Sequence, residues 1–161
     1  MQRSDFEIMA PAGSRETLAA ALQAGADSVY FGIGALNMRA HSAGGFTIDD
    51  LNEIAALCRE HGAKSYLTVN TVIYDGDLAA MREIVSAAKA AGVSAVIASD
   101  VAVMQCCREL GVEVHLSTQL NIANVEALRF YAQFADVVVL ARELTLRQVA
   151  VLRAALDREG I

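Results

Sequence analysis

The chain has 161 residues, of which 55% are hydrophobic and 20% charged, a composition typical of globular rather than disordered proteins. Its net charge of −6 argues against an extended nucleic-acid-binding face on this stretch, because such faces carry clustered Lys and Arg. The N-terminus lacks a signal-peptide pattern, and no apolar run approaches the roughly 20 residues of a membrane helix. We therefore expect one cytoplasmic domain over residues 1–161, without a membrane partner.

Six short apolar runs recur along the chain, and each is followed by a polar or glycine-bearing cluster and then by an amphipathic helical pattern. Strands that alternate with helices favour a parallel sheet, because parallel strands need a crossover connection. The pattern therefore predicts an α/β fold. The predicted strands are Phe6–Met9, Ser28–Phe31, Ser65–Val69, Ala95–Ala98, Glu113–Leu116 and Asp136–Leu140.

Several helix ends are marked by capping residues. Ser14 is placed to cap a first helix that stops at Gly25. Thr47, with Asp50 three residues later, resembles a capping box for a second helix. Further helices are predicted over residues 77–91, 101–110, 124–134 and 145–159.

Two architectures fit this alternation. A doubly wound sheet normally carries a Gly-rich first loop, and the first loop here, Pro11-Ala12-Gly13, lacks the other glycines of that fingerprint. A (β/α)8 barrel fits better because polar residues follow every strand, but a full barrel takes about 250 residues, or roughly 31 per unit. We predict an incomplete TIM-like barrel of about six βα units. The doubly wound parallel sheet is the alternative.

In barrels the loops after the strands carry the binding site. Alternation places His115, Ser117 and Gln119 on one face of the fifth strand, and amides and hydroxyls there suit recognition of polar ligand groups. A guanidinium such as that of Arg142 can hold a carboxylate or phosphate. The candidate substrate-binding residues are Asn37, Arg39, Asn70, Asp100, Ser117, Gln119, Asn121, Arg142 and Glu143, with Pro11, Ala12 and Gly13 in the first loop.

We expect Asn37, Arg39, Asn70, Asp100, Gln119 and Arg142 to meet at one rim. The structural alternative is that these groups satisfy one another, with ion pairs such as Arg142–Glu143 or Arg39–Asp100 locking the loops.

Neither a protease signature nor a metal site is visible. The motifs H-E-x-x-H and G-x-S-x-G do not occur, so no catalytic residue is assigned. Cys58, Cys106 and Cys107 fall inside helical patterns, and neighbouring cysteines on a helix diverge by about 100°. Buried thiols are therefore expected, and no metal ligand is assigned.

Six motifs, taken together and in this order, resemble peptidase family U32. They are Met9–Gly13, Gly25–Gly32, Asn37–Ala40, Thr68–Thr71, His115–Asn121 and Leu140–Leu144. The resemblance spans essentially the whole chain and implies the N-terminal part of a barrel domain. It also implies that a cysteine-rich segment follows in the parent protein and binds a [4Fe–4S] cluster. No cofactor is expected on the residues present here.

The resemblance implies two kinds of activity. One is iron–sulfur-dependent RNA hydroxylation, in particular of the tRNA wobble uridine with prephenate as the oxygen source, and the other is a collagenase-like peptidase. We expect the first for the parent protein, with tRNA and prephenate as partners, and we expect the isolated chain to be inactive. The peptidase is the alternative, and a non-catalytic binding or scaffold module is a third.

An incomplete barrel has two open edges, formed by its first and sixth strands. Unpaired edge strands recruit other strands, so we also expect self-association of the chain through these edges.

Overall fold

A computed structural model describes Arg3, residues 6–38 and residues 45–161. The described residues form six strands and six α-helices in alternation. The strands are β1 (Met9–Pro11), β2 (Ser28–Gly32), β3 (Lys64–Val69), β4 (Ala95–Ala98), β5 (Val114–Leu116) and β6 (Val137–Val138). The helices are α1 (Arg15–Gln23), α2 (Leu51–Glu60), α3 (Leu78–Ala91), α4 (Val101–Leu110), α5 (Val125–Tyr131) and α6 (Leu146–Glu159). Three short 3-10 turns, Ile48–Asp50, Asp75–Asp77 and Thr118–Leu120, lie in the loops after β2, β3 and β5.

The strands lie side by side in their chain order, β1-β2-β3-β4-β5-β6, and every neighbouring pair is parallel. A doubly wound sheet reverses its winding at a switch point, so that its first strand lies inside the sheet. Here β1 lies at an edge, and no reversal occurs among the described strands. The incomplete (β/α) barrel is therefore confirmed, and the doubly wound alternative is wrong.

The two faces of the sheet differ. One face packs against the helices, where Phe31, Leu67 and Leu116 from the strands join Met81 and Met104 from the helices in one buried cluster. The opposite face, called here the inner face, carries a smaller cluster of Tyr66, Ala95 and Ile97 against Tyr30. The inner face corresponds to the interior of a barrel.

The helix ends agree with the local sequence signals. Ser14 and Thr17 form a capping box at the start of α1, and Thr47 and Asp50 form one at the turn that leads into α2. Gly92 ends α3 in the left-handed conformation with φ 74°, a region that side chains with a Cβ rarely adopt.

The edge strands differ most from the sequence prediction. The first strand is Met9–Pro11 rather than Phe6–Met9, because the Asp27 carboxylate accepts the Ile8 N–H at 2.6 Å and strand pairing starts at Met9. Pro11 can end an edge strand because it has no N–H to leave unpaired. The sixth strand is shorter than predicted, since β5 ends at Leu116 and leaves few partners to pair with.

Candidate functional site

Asn70 connects three loops at the carboxyl end of the inner face, a region called here the rim. It follows β3, and its Oδ1 accepts the backbone N–H of Met38 at 3.2 Å. Its Nδ2 donates to Ser117 Oγ, also at 3.2 Å. The backbone donor fixes which end of the amide is oxygen. One side chain thus joins the loops after β2, β3 and β5.

Ser117 is the buried end of this connection. It follows β5, is only 4% exposed, and accepts the Gln119 N–H at 3.4 Å in addition to the Asn70 amide. The hydroxyl therefore caps the Thr118–Leu120 turn while it contacts Asn70. The fold thus brings the side chains of two predicted site residues, Asn70 and Ser117, into contact.

Asn37 is buried and is turned toward its own loop. Its Nδ2 donates to the carbonyl oxygens of Ile33 at 2.9 Å and Gly34 at 3.1 Å. The side chain lies directly against Gly32, where a Cβ would come within 2.2 Å of Asn37 Oδ1. A glycine is therefore required at the last position of β2, and Asn37 shapes the loop that carries Met38.

Asp100 is also used by the backbone. Its Oδ1 accepts the Ala102 N–H at 2.9 Å and caps α4, and its Oδ2 accepts the Ile73 N–H at 3.1 Å. The carboxylate holds the loop after β3 against the start of α4. The ion pair suggested between Asp100 and Arg39 stays a prediction, because Arg39 lies outside the described residues.

The side chains of the remaining described candidates take no part in this connection. Gln119 and Asn121 are exposed, because the 3-10 turn breaks the alternation that β5 would otherwise continue. Arg142 and Glu143 are exposed too, and neither forms an ion pair with another described residue. Binding roles for these four residues stay predictions.

The first loop is held in place by backbone hydrogen bonds. Pro11 is the last residue of β1, and the buried Ala12 donates its N–H to the Tyr30 carbonyl at 2.9 Å. Gly13 donates its N–H to Thr17 Oγ1 at 3.0 Å, which ties the loop to the start of α1.

A second polar cluster, not anticipated from the sequence, lies at the amino end of the inner face. Tyr66 donates its hydroxyl to Glu7 Oε1 at 2.6 Å, and Lys64 contacts Glu7 Oε2 at 3.0 Å. His115 Nε2 lies 2.8 Å from Glu113 Oε1, and its ring is 4.6 Å from that of Tyr66. Lys64 and Tyr66 are two residues apart on β3, and Glu113 and His115 are two residues apart where β5 begins, which places each pair on one face of the sheet. This spacing is the sequence signal that could have revealed the cluster.

The pKa values in this cluster follow from burial and hydrogen bonding. The pKa of Tyr66 is raised, mainly because the side chain is buried and secondly because its hydroxyl donates to Glu7. Burial opposes ionisation of Glu7, but the hydrogen bonds from Tyr66 and Lys64 outweigh it, so the pKa of Glu7 is lowered. The pair is therefore a neutral phenol that donates to an ionised carboxylate.

His115 and Ser117 belong to different clusters. His115 contacts Glu113 and Tyr66 toward the amino end, whereas Ser117 contacts Asn70 at the rim. No hydrogen bond joins the histidine to the serine, which a serine nucleophile with a histidine base would need.

The three cysteines lie buried inside two helices. All are buried, Cys58 in α2 and Cys106 with Cys107 in α4. Burial raises the pKa of the Cys58 thiol, and burial together with Cys106 raises the pKa of Cys107 to about 12. Within the described ranges, no group of three His, Cys, Asp or Glu side chains could hold a metal ion.

None of the helices in the described residues has both the length and the apolar character needed to cross a bilayer.

Comparisons with known proteins agree with the fold. The chain is 64% identical over 161 residues to a protein named collagenase from Porphyromonas gingivalis, covering 100% of this chain and 39% of that protein. It is 33% identical over 156 residues to a protein named tRNA hydroxylation protein P1 from Bacillus subtilis, covering 95% of this chain and 37% of that protein. The chain thus spans well under half the length of these relatives.

A solved structure of a U32 peptidase matches with a TM-score of 0.74 at 13% identity, over 92% of this chain and 64% of that one. At this identity the match supports the fold alone. The model of the family described as "Peptidase family U32" matches residues 13–160 of the chain. The chain therefore belongs to peptidase family U32.

Proposed function

We propose that the full-length protein containing this chain hydroxylates the wobble uridine of tRNA, and that these residues form part of the barrel that binds the substrate. The observation that carries the proposal is the rim, where Asn70 and Ser117 present hydrogen-bonding groups at the carboxyl ends of β3 and β5. Amide and hydroxyl groups suit recognition of a polar ring or an organic acid. The relatives named tRNA hydroxylation proteins favour the same function.

Other parts of the full-length protein have roles in this proposal. The [4Fe–4S] cluster is bound by residues outside this chain, because the cysteines here are buried thiols in two helices. Prephenate supplies the oxygen atom. The net charge of −6 means that most contacts to tRNA phosphates are made outside this chain as well. The reaction takes place in the cytoplasm, where tRNA is modified.

The proposal is tested by complementation. The full-length protein is expressed in a bacterial strain that lacks its own tRNA hydroxylation protein, and the nucleosides of digested tRNA are measured by mass spectrometry. We expect hydroxylated uridine to reappear with the wild type and to fall at least tenfold with Asn70→Ala. Absence of hydroxylated uridine in cells that contain folded, cluster-loaded protein would contradict the proposal.

A collagenase-like peptidase is the second candidate, and the 64% identity to a protein named collagenase favours it. Purified full-length protein is incubated with type I collagen, and newly released amino groups are measured. Cleavage that is lost with Asn70→Ala, in a preparation that leaves tRNA unmodified, would favour the peptidase. If both assays are negative while tRNA still binds, the barrel is a binding module.

A further inference from the structure

We propose that Asn70 and Ser117 form a two-donor site for two acceptor atoms of one organic ligand, which are oxygens of ring carbonyl or carboxylate groups. The inference rests on the proposed function only in placing a substrate at the rim. It goes beyond that function in assigning the two atoms that bind and the ligand chemistry they select.

The hydroxyl of Ser117 accepts two hydrogen bonds and still has its own hydrogen to donate. A hydroxyl has one donor hydrogen and two acceptor lone pairs. Ser117 Oγ accepts the Asn70 amide at 3.2 Å and the Gln119 N–H at 3.4 Å, which occupies both lone pairs. The hydroxyl hydrogen has no acceptor among the described residues. Ser117 is therefore a buried hydrogen-bond donor that can bind a ligand.

Asn70 supplies the second donor. Its Oδ1 accepts the Met38 N–H, and one of its Nδ2 hydrogens is donated to Ser117. The other Nδ2 hydrogen has no acceptor among the described residues. The two donor atoms are 3.2 Å apart. The two N–H bonds of an amide diverge by about 120°, so the second Nδ2 hydrogen points away from Ser117, and the two donors bind two different acceptor atoms of one ligand at about 2.9 Å. This arrangement binds an acceptor and offers nothing to a ligand that only donates.

The surroundings show from which side the ligand approaches. One row below the pair, Thr68, Ile97 and His115 lie side by side in the sheet, and all three are buried. The Thr68 hydroxyl donates to the Phe31 carbonyl at 3.0 Å and adds no donor of its own. The ligand therefore reaches Asn70 and Ser117 from the rim.

Apolar side chains flank the pair along the chain. Met38, whose N–H binds Asn70, is 59% exposed, and Val72, two residues after Asn70, is 66% exposed. Exposed apolar groups beside buried donors are typical of sites for small organic ligands. The ligand that fits is one with an apolar or flat body and at least two acceptor oxygens.

The test uses Asn70→Asp in the full-length protein. The new carboxylate still accepts the Met38 N–H and also accepts the Ser117 hydrogen, so the connection between the loops is retained. Both spare donors are lost. The variant therefore separates a ligand site from a simple brace, because a brace survives this substitution. Asn124→Asp is the matched control, since Asn124 is exposed, caps α5 and keeps that cap as Asp.

Binding of uridine and of prephenate is measured by calorimetry, after thermal unfolding has shown that each variant is folded. We expect wild type and Asn124→Asp to bind one probe equally, and Asn70→Asp to bind it at least tenfold more weakly. Uridine as the bound probe identifies a ring carbonyl, and prephenate identifies a carboxylate. Unchanged affinity of Asn70→Asp, or binding of neither probe by the wild type, overturns the proposal.

Binding is measured without turnover, so the two proposals fail separately. If the donor-dependent binding is present but no tRNA is hydroxylated, the proposed function fails and the site stands. If tRNA is hydroxylated equally by wild type and Asn70→Asp, the site fails and the proposed function stands.

Discussion

Tyr66 illustrates how single residues stabilise the inner face. Its ring packs against His115, and its hydroxyl donates to Glu7, a residue 59 positions earlier in the chain. Because its pKa is raised, the phenol stays protonated and remains a donor. The bond ties the segment before β1 to β3 at the amino end of the sheet, far from the rim.

Tyr66→Phe is expected to lower the free energy of unfolding by about 1 kcal/mol at pH 7, because the ring contact stays and the hydrogen bond is lost. Glu7 is 38% exposed, so water partly replaces the phenol and keeps the loss near that low value. Urea unfolding of both proteins measures it.

The pH dependence of this difference follows from the lowered pKa of Glu7. A carboxyl group with a lowered folded-state pKa contributes stability above its unfolded value of about 4.5, and that stability is lost as the pH falls further. The difference in the free energy of unfolding between wild type and Tyr66→Phe should therefore become smaller from pH 7 to pH 3.5. An equal gap at both pH values would show that Glu7 does not receive this bond.

The residue scale also shows what a sequence can reveal of a site. Asn70 and Ser117 were predicted to lie together because strand ends meet at one edge of a parallel sheet, and their side chains are in contact. Gln119 was placed on the same face by alternation, which the 3-10 turn ends at Thr118. The Glu7–Tyr66 bond depends on long-range packing that local patterns do not encode.

At the scale of elements, the start of α2 connects two neighbouring helices. Asp50 accepts the backbone N–H and the hydroxyl of Thr47, both at 2.8 Å, and forms an ion pair with Arg15 of α1 at 2.6 Å. Arg15 also contacts Glu53 at 2.8 Å. The capping residue therefore fixes the helix end and its neighbour together.

Asp50→Asn is expected to destabilise the protein by about 1 kcal/mol at pH 7, through a weaker cap and a lost ion pair. The backbone N–H and hydroxyl of Thr47, followed by Arg15, lower the pKa of Asp50 below 3.8. Its contribution is therefore present above about pH 3.8 and disappears as the pH falls further.

Urea unfolding at pH 7 and pH 3 tests this prediction, with Asp49→Asn as the control because Asp49 is an exposed carboxylate on the same turn. The Asp50→Asn deficit should be large at pH 7 and small at pH 3. A deficit that Asp49→Asn reproduces would mean that general charge, not the cap, is responsible.

Helix boundaries were predicted better than edge strands, for a physical reason. Caps such as Ser14 and Thr47 act within four residues and are visible in the sequence. The central strand β4 was predicted as Ala95–Ala98 and is found there. The extents of β1 and β6 depend instead on how far their single neighbours reach.

At the scale of the whole molecule, the sheet has two edges. Among the described residues β6 pairs with β5 alone, and Val137 on it is 42% exposed. An apolar, β-branched edge without charge favours pairing with another strand. We propose that the 161-residue chain, produced alone, self-associates through β6.

Sedimentation velocity at several concentrations tests this association. We expect an average mass that rises with concentration for the wild type, and a monomer for Val137→Lys, because a lysine on an edge strand opposes pairing. Val151→Lys on α6 is the control, since Val151 is exposed but lies on a helix. A monomer at all concentrations, with amides of Val137–Val139 protected from exchange, would show that this edge is covered within one chain.

The sequential strand order also has a consequence for synthesis. Each strand from β2 onward pairs with the strand translated just before it, so no strand must wait for a distant partner. Ribosomes add about 5–20 residues per second, so each unit of roughly 31 residues takes seconds to emerge. A helix forms in about a microsecond. Every new βα unit can therefore dock on a completed predecessor during translation, and the wall of the barrel grows from the N-terminus in the direction in which the messenger is read.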